Sequence, residues 1–214
     1  MGTRAVSSPP SGERALGKRR AIVEAAQARF LAEGYDTSVD SIAADANVSK
    51  ATVYNHFGSK EALFIAVISD ALDAALGEAV NEARRQPAKT DDPMEALSAT
   101  AHALVRGITQ PSVLALRNLV TGELRRFPEL GRAWGVCGPE RATTMLAEVL
   151  RGFEAQGKLR VPDLDLAVIQ LVALTLYPHL TASSYGKRVE SGINDQMIRN
   201  GVEMFLSYYH REQR

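Results

Sequence analysis

In the run RRAIVEAAQARFLAEG, the apolar side chains Ile22, Val23, Ala26, Phe30 and Leu31 recur at three- and four-residue intervals. That is the spacing of one core-facing stripe on an α-helix, and Gly34 follows as its stop signal. SVDSIAADA predicts a short second helix from about Val39, with Thr37 or Ser38 as N-cap and Asp40 in its first turn. KATVYNHF predicts a third helix, capped by Ser49 and carrying only two large apolar anchors, Val53 and Phe57. A fourth and much longer helix starts after Gly58, with Ser59 as N-cap and Glu61 in its first turn, and runs from 59 to about 85.

QPAKTDDP (86–93), with a proline at each end of a charged stretch, predicts a linker. Helical periodicity then resumes in MEALSATAHALVRGI and SVLALRNLVTGELRRF. It continues from Glu129 to Gln156 with a break at Gly135–Pro139, and again in DLAVIQLVALTLYPHLTASS and NDQMIRNGVEMFLSYYH. No segment alternates apolar and polar residues between hairpin turn signals, so strands are not expected. The fold class is all-α: about nine helices, as a small N-terminal three-helix bundle and a larger C-terminal helical bundle. The boundaries are a disordered tail over 1–13, a first domain over 14–60 and a second over 61–214.

Composition narrows the class. Of 214 residues 45% are hydrophobic, and 25 Lys and Arg balance 25 Asp and Glu, so no net charge advertises a polyanionic partner. Local charge is less even. Arg4, Arg14, Lys18, Arg19, Arg20, Arg29, Lys50 and Lys60 outweigh Glu13, Glu24, Glu33, Asp36, Asp40 and Asp45 in the first 60 residues. The single Cys137 excludes an intramolecular disulfide framework and suits a reducing compartment. MGTRAVSSPPSG has no apolar signal region, and AVIQLVALTL (167–176) is too short to span a bilayer. A cytoplasmic protein without membrane association is expected.

The second and third helices are short and joined by Asn47-Val48, the layout of a helix-turn-helix. Its turn needs a left-handed residue, and after Gly, Asn tolerates that conformation best. With Val53 and Phe57 inward, Lys50, Thr52, Tyr54, Asn55 and His56 are left for a groove. The helix N-termini at Thr37/Ser38, Ser49 and Ser59-Lys60 suit phosphates. The stretch IVEAAQARFLAEGYDTSVDSIAADANVSKATVYNHFGSKEALF resembles the DNA-binding domain of the TetR family of bacterial transcriptional regulators. The pattern is carried by Ala26, Phe30, Gly34, Tyr35, Thr37, Ile42, Ala43, Ala46, Val48, Ser49, Tyr54, Phe57, Lys60, Glu61 and Leu63. Asn47 stands where that family mostly has Gly.

That resemblance implies a homodimer binding a palindromic operator in double-stranded DNA, with half-site centres about 34–36 Å apart or a multiple of a helical turn. Lys50, Thr52 and Asn55 are the candidates for base reading. Thr37, Ser38, Tyr54, His56 and Lys60 are those for phosphate contact, with Ser49 chiefly a cap. Arg19 and Arg20 read as solvated charges. SVLALRNLVTGELRRFPEL resembles a C-terminal subgroup of the family and implies a ligand-sensing, dimerising domain taking a small apolar effector.

Phe127, Trp134, Met145, Phe153, Tyr177 and His179 are the pocket candidates. Tyr177 and His179 flank a helix-bending proline. No Gly-rich phosphate loop, nucleophile elbow or paired metal-spaced His is found, so neither a catalytic residue, a metal nor a cofactor is expected. The reading is a ligand-responsive repressor. The alternative is a helical ligand-binding protein or enzyme with a vestigial helix-turn-helix.

Overall fold

A computed structural model describes residues 12–187 and 189–209, and its elements are α-helices. In chain order they are α1 (Glu13–Glu33), α2 (Val39–Asp45), α3 (Lys50–Phe57), α4 (Lys60–Lys89), α5 (Pro93–Ile108) and α6 (Pro111–Glu123). There follow α7 (Pro128–Cys137), α8 (Pro139–Ala155), α9 (Leu164–Thr175), α10 (Tyr177–Ser184) and α11 (Ser191–Tyr209). The tail expected over 1–13 falls, except for its last two residues, outside the described chain.

The described residues form eleven helices where about nine were expected, and one of the two extra ends is the break anticipated at Gly135–Pro139. Gly138 separates α7 from α8, and α10 leaves the line of α9 by 52°, with Pro178 in its first turn. The proline ring cannot continue an existing helix but is pre-set for starting one. Prolines 93, 111, 128 and 139 likewise open α5, α6, α7 and α8. The 86–93 linker shrinks to three residues, because α4 continues through Pro87 to Lys89. So near a helix end a proline removes little hydrogen bonding, and the backbone can absorb it.

Packing divides the chain into two compact units: residues up to Asp70 with Ala115–Trp134, and Ala71–Leu114 with Gly135 onward. In the first, Ile22, Val23, Ala26 and Phe30 of α1 are buried with Ile42 and Ala43 of α2, Val53 of α3 and Leu63 and Phe64 of α4. Leu31 leaves the expected stripe and is 40% exposed, one residue around the helix from Phe30. An aromatic cluster closes this core. The Phe64 ring stands edge-on to Phe30 at 4.9 Å and to Tyr35 at 5.1 Å, and Phe127 meets Tyr35 at 4.7 Å. Burying a Phe of this kind stabilises by about 1.5–3 kcal/mol.

The second unit is a bundle in which α9 packs on α8, α10 and α11, and α11 packs also on α5. Its core includes Leu97, Leu104, Leu146, Leu150, Phe153, Leu171, Val202 and Phe205. Gly201 lets α11 approach α9 closely, since a Cβ there would lie 2.7 Å from the Leu174 carbonyl oxygen. The Tyr209 hydroxyl donates to Gln170 Oε1 at 2.6 Å and pins the end of α11 to α9.

Candidate nucleic-acid interface

The short α2 and α3 are shaped by local chemistry before any tertiary contact. Ser38 caps α2 by accepting from the Ser41 amide at 3.0 Å, and Ser49 caps α3 by accepting from Thr52 at 3.1 Å. Ser59 does the same for α4 through the Ala62 amide at 3.0 Å. Between α2 and α3, Asn47 has φ 51°, the sole left-handed non-glycine among the described residues. Its turn is closed by the Val48 amide donating to the Ala43 carbonyl at 2.9 Å. Gly58, at φ 75°, then ends α3 and lets α4 start two residues on.

A bidentate contact locks this motif onto α1. Arg29 donates through Nε to Asp45 Oδ2 at 2.5 Å and through Nη2 to Oδ1 at 2.8 Å, and its Nη1 reaches Glu33. Glu33 in turn accepts from the Thr37 hydroxyl at 2.7 Å. Hydrogen bonds from Thr37 and then Arg29 hold the Glu33 carboxyl below its usual range, and Arg29 does the same for Asp45. Thr37, expected at a phosphate, is therefore 5% exposed with its hydroxyl turned inward to Glu33. The helix cap and the exposed position beside it belong to Ser38.

The remaining sequence candidates lie on or beside α3. Lys50, Tyr54 and Asn55 are exposed, Tyr54 at 41%, whereas Thr52 and His56 are half-buried. Lys50 is not idle: its ammonium donates to Asp40 Oδ2 at 2.8 Å, which raises its pKa. Thr52 shares a 2.8 Å hydroxyl–hydroxyl bond with Ser49. Lys60 lies with its Nζ 4.8 Å from the Tyr35 ring centroid, and partial burial lowers its pKa.

Phe57, expected to face inward, is only half-buried, and the Arg19 guanidinium lies over its ring at 5.2 Å. This contact brings the first turns of α1 beside the end of α3. His56 feels it: burial first, then the charges of Arg19 and Lys18, push its pKa down. Lys18 and Arg19 thus join the α3 surface, although Arg19 had been read from the sequence as a solvated charge. Arg20 alone fits that reading, paired to Glu24 at 2.9 Å. The available signal was the Lys-Arg-Arg run at a fixed distance before the apolar stripe of α1.

The six pocket candidates do not converge. Phe127 and Trp134 fall in the first unit, Phe127 against Tyr35. Met145 and Phe153 are buried core residues of α8, and Tyr177 is 62% exposed. Of the six, His179, at 5% exposure, lines a cavity of about 230 Å³ in the second unit. Sequence reasoning did not single out Arg106, Lys187 and Asn194 among its other polar walls. They come from three separate elements and share no spacing.

Two family models match the chain. Residues 22–67 match the bacterial regulatory proteins of the tetR family, and residues 95–211 the C-terminal domain of AefR-like transcriptional repressors. No curated protein sequence matches it. Among solved structures, a TetR-family assignment from Mesorhizobium loti MAFF303099 is 28% identical with a TM-score of 0.81, covering 94% of this chain and 100% of that one. The flavonoid-responsive regulator FrrA is 27% identical with a TM-score of 0.75, covering 92% and 98%. A TetR-family regulator from Pseudomonas syringae pv. tomato DC3000 is 30% identical with a TM-score of 0.66, covering 90% and 97%. With the capped helix-turn-helix in front and the matched helical domain behind it, the chain belongs to the TetR family of bacterial transcriptional regulators.

Proposed function

We propose that the chain is a ligand-responsive repressor that binds a palindromic operator as a homodimer. The observation that carries this is the α3 surface. A helix with one buried anchor, Val53, presents Lys50, Tyr54 and Asn55 to solvent and is flanked by Lys18, Arg19, His56 and Lys60. Burial does not account for such a helix, whereas entry into a major groove does. In this reading Lys50, Thr52 and Asn55 meet base edges. Ser38, Tyr54, His56 and Lys60 meet phosphates, with Lys18 and Arg19 beside them. His56 is neutral at neutral pH in the free protein, and an adjacent phosphate would oppose the downward shift.

Homodimer formation is supported by apolar residues that the second unit leaves uncovered. On α9, Leu166 and Ile169 are exposed on the side away from buried Ala167, Val168 and Leu171, and on α11 Ile193, Met204 and Tyr208 are exposed. Helices that are apolar on two faces call for a second partner, and a two-fold interface supplies it. Effector response is supported by the cavity at His179, and by the likeness to a flavonoid-responsive regulator.

The test is a gel shift with DNA flanking the chain's own gene, followed by nuclease protection. The reading expects retardation by a dimer and two protected half-sites whose centres are about 34–36 Å apart or a further helical turn. Protection of a single half-site by a monomer, or no retardation at low salt, overturns it.

A further inference from the structure

The cavity at His179 has a chemistry that selects its occupant. It lies in the second unit between the end of α5, the start of α6, α10 and the segment before α11, with Val105, Leu114 and Val189 as apolar wall. Two buried polar atoms of its lining residues, His179 Nε2 and Asn194 Oδ1, have no hydrogen-bond partner in the structure. Leaving such atoms unsatisfied forfeits their hydration without a return, and unpaired groups in a walled cavity are those a ligand would satisfy. Burial and then the neighbouring His102 push the His179 pKa down, so its ring is a neutral hydrogen-bonding group at neutral pH.

Charge is one-sided. Arg106, in the last turn of α5, and Lys187, just after α10, are both exposed and stand at the mouth. Among the described residues no carboxylate lines the cavity and no ion pair involves either cation. The nearby Asp195 is engaged by His102 Nε2 at 3.0 Å and by Asn194 Nδ2 at 3.4 Å. The Thr109 hydroxyl is likewise occupied, donating to the Val105 carbonyl at 2.7 Å. At about 230 Å³ the space lies below the 300–1,000 Å³ usual for drug-sized ligands.

We infer that this cavity takes a small monoanionic hydroxy acid: a carboxylate between Arg106 and Lys187, an apolar ring against Val105 and Leu114, and a hydroxyl that donates to Asn194 Oδ1 and accepts from His179 Nε2. The inference rests on the effector-responsive reading above and names the chemical class of the effector. A cationic ligand would meet two like charges at the entrance. A purely apolar one would leave His179 and Asn194 unsatisfied. This ligand class is more polar than the small apolar effector expected from the sequence.

The test uses 4-hydroxybenzoate as probe, with 4-hydroxybenzamide and 4-hydroxybenzylamine as its neutral and cationic counterparts, titrated calorimetrically into the full-length protein. The acid should bind at least about tenfold more tightly than either. The exposed-site double variant Arg106→Gln/Lys187→Gln should lose about tenfold for the acid and little for the amide, as charge-assisted hydrogen bonds disappear. No binding by the acid, tighter binding by the amine, or an unaltered affinity in the double variant overturns the assignment. A parallel operator-release assay separates the two readings. Acid that binds with the expected preference but leaves operator affinity unchanged refutes effector response while the ligand class stands. Failure of acid binding in a protein that still holds its operator refutes the ligand class alone.

Discussion

Asn47 offers a sharp perturbation because its backbone, not its side chain, sets the turn between α2 and α3. At φ 51° it occupies a region that costs an ordinary L-residue about 1–2 kcal/mol, and that Asn and Gly tolerate. Its side chain is exposed, so replacement disturbs little else. Asn47→Ala should destabilise the turn by about 1 kcal/mol, Asn47→Val by more because of its β-branch, and Asn47→Gly by close to nothing. The local readout is amide exchange of Val48, whose N–H donates to the Ala43 carbonyl at 2.9 Å and opens only when the turn does. About 1 kcal/mol corresponds to roughly fivefold faster exchange. Operator affinity should fall in the order Gly, Ala, Val, since a turn that opens more often presents α3 less often. Equal Val48 protection in the Ala and Gly variants would refute the claim that a left-handed residue holds the two helices in register.

Three further outcomes follow from other contacts. Gly201→Ala places a methyl 2.7 Å from the Leu174 carbonyl oxygen, so chemical denaturation should show a loss of about 1–3 kcal/mol despite the better helix propensity of Ala. Tyr35 has its pKa pushed up to about 12, by burial first and then by Glu129 and Glu61. The folded state therefore keeps a proton that the unfolded chain releases near pH 10. The resulting stability is full below pH 10 and is lost as pH rises toward 12, and Tyr35→Phe should remove that part of the alkaline decline in thermal scans. Asp40→Asn frees Lys50 from its 2.8 Å partner and removes an acid from the groove-facing surface. Fluorescence anisotropy should report several-fold tighter operator binding with a steeper salt dependence; weaker binding would mean that Asp40 positions Lys50 for its base.

What could be read from the chain in advance was local. Ser38, Ser49 and Ser59 as caps, and Asn47 as the left-handed link, depend on a few consecutive residues, and the structure shows each of them in place. Features set by contacts distant in sequence were not legible. Phe57 looked like an inward anchor because nothing local announces that Arg19 covers its ring from α1, 38 positions earlier. Thr37 is a local exception: its partner Glu33 is four residues away, but the helix stop at Gly34 hides that the chain folds back far enough for the two to meet. Phe127 looked like a pocket wall by composition, yet it packs on Tyr35, about 90 positions upstream. In the second unit Pro178 announced a bend, but not which of its neighbours turns inward. His179 is buried at the cavity, while Tyr177 faces solvent.

The central claim is that the exposed face of α3 reads sequence while its flanks hold the backbone. It is tested most directly by the ratio of operator to scrambled-DNA affinity, measured by anisotropy at one fixed salt concentration for Asn55→Ala and Lys60→Ala. A lost base contact of good geometry costs about 1–3 kcal/mol of discrimination. Asn55→Ala should therefore lower the ratio by roughly tenfold, whereas Lys60→Ala should weaken both affinities alike and leave the ratio unchanged. An unaltered ratio in Asn55→Ala, together with a collapsed one in Lys60→Ala, would contradict the account.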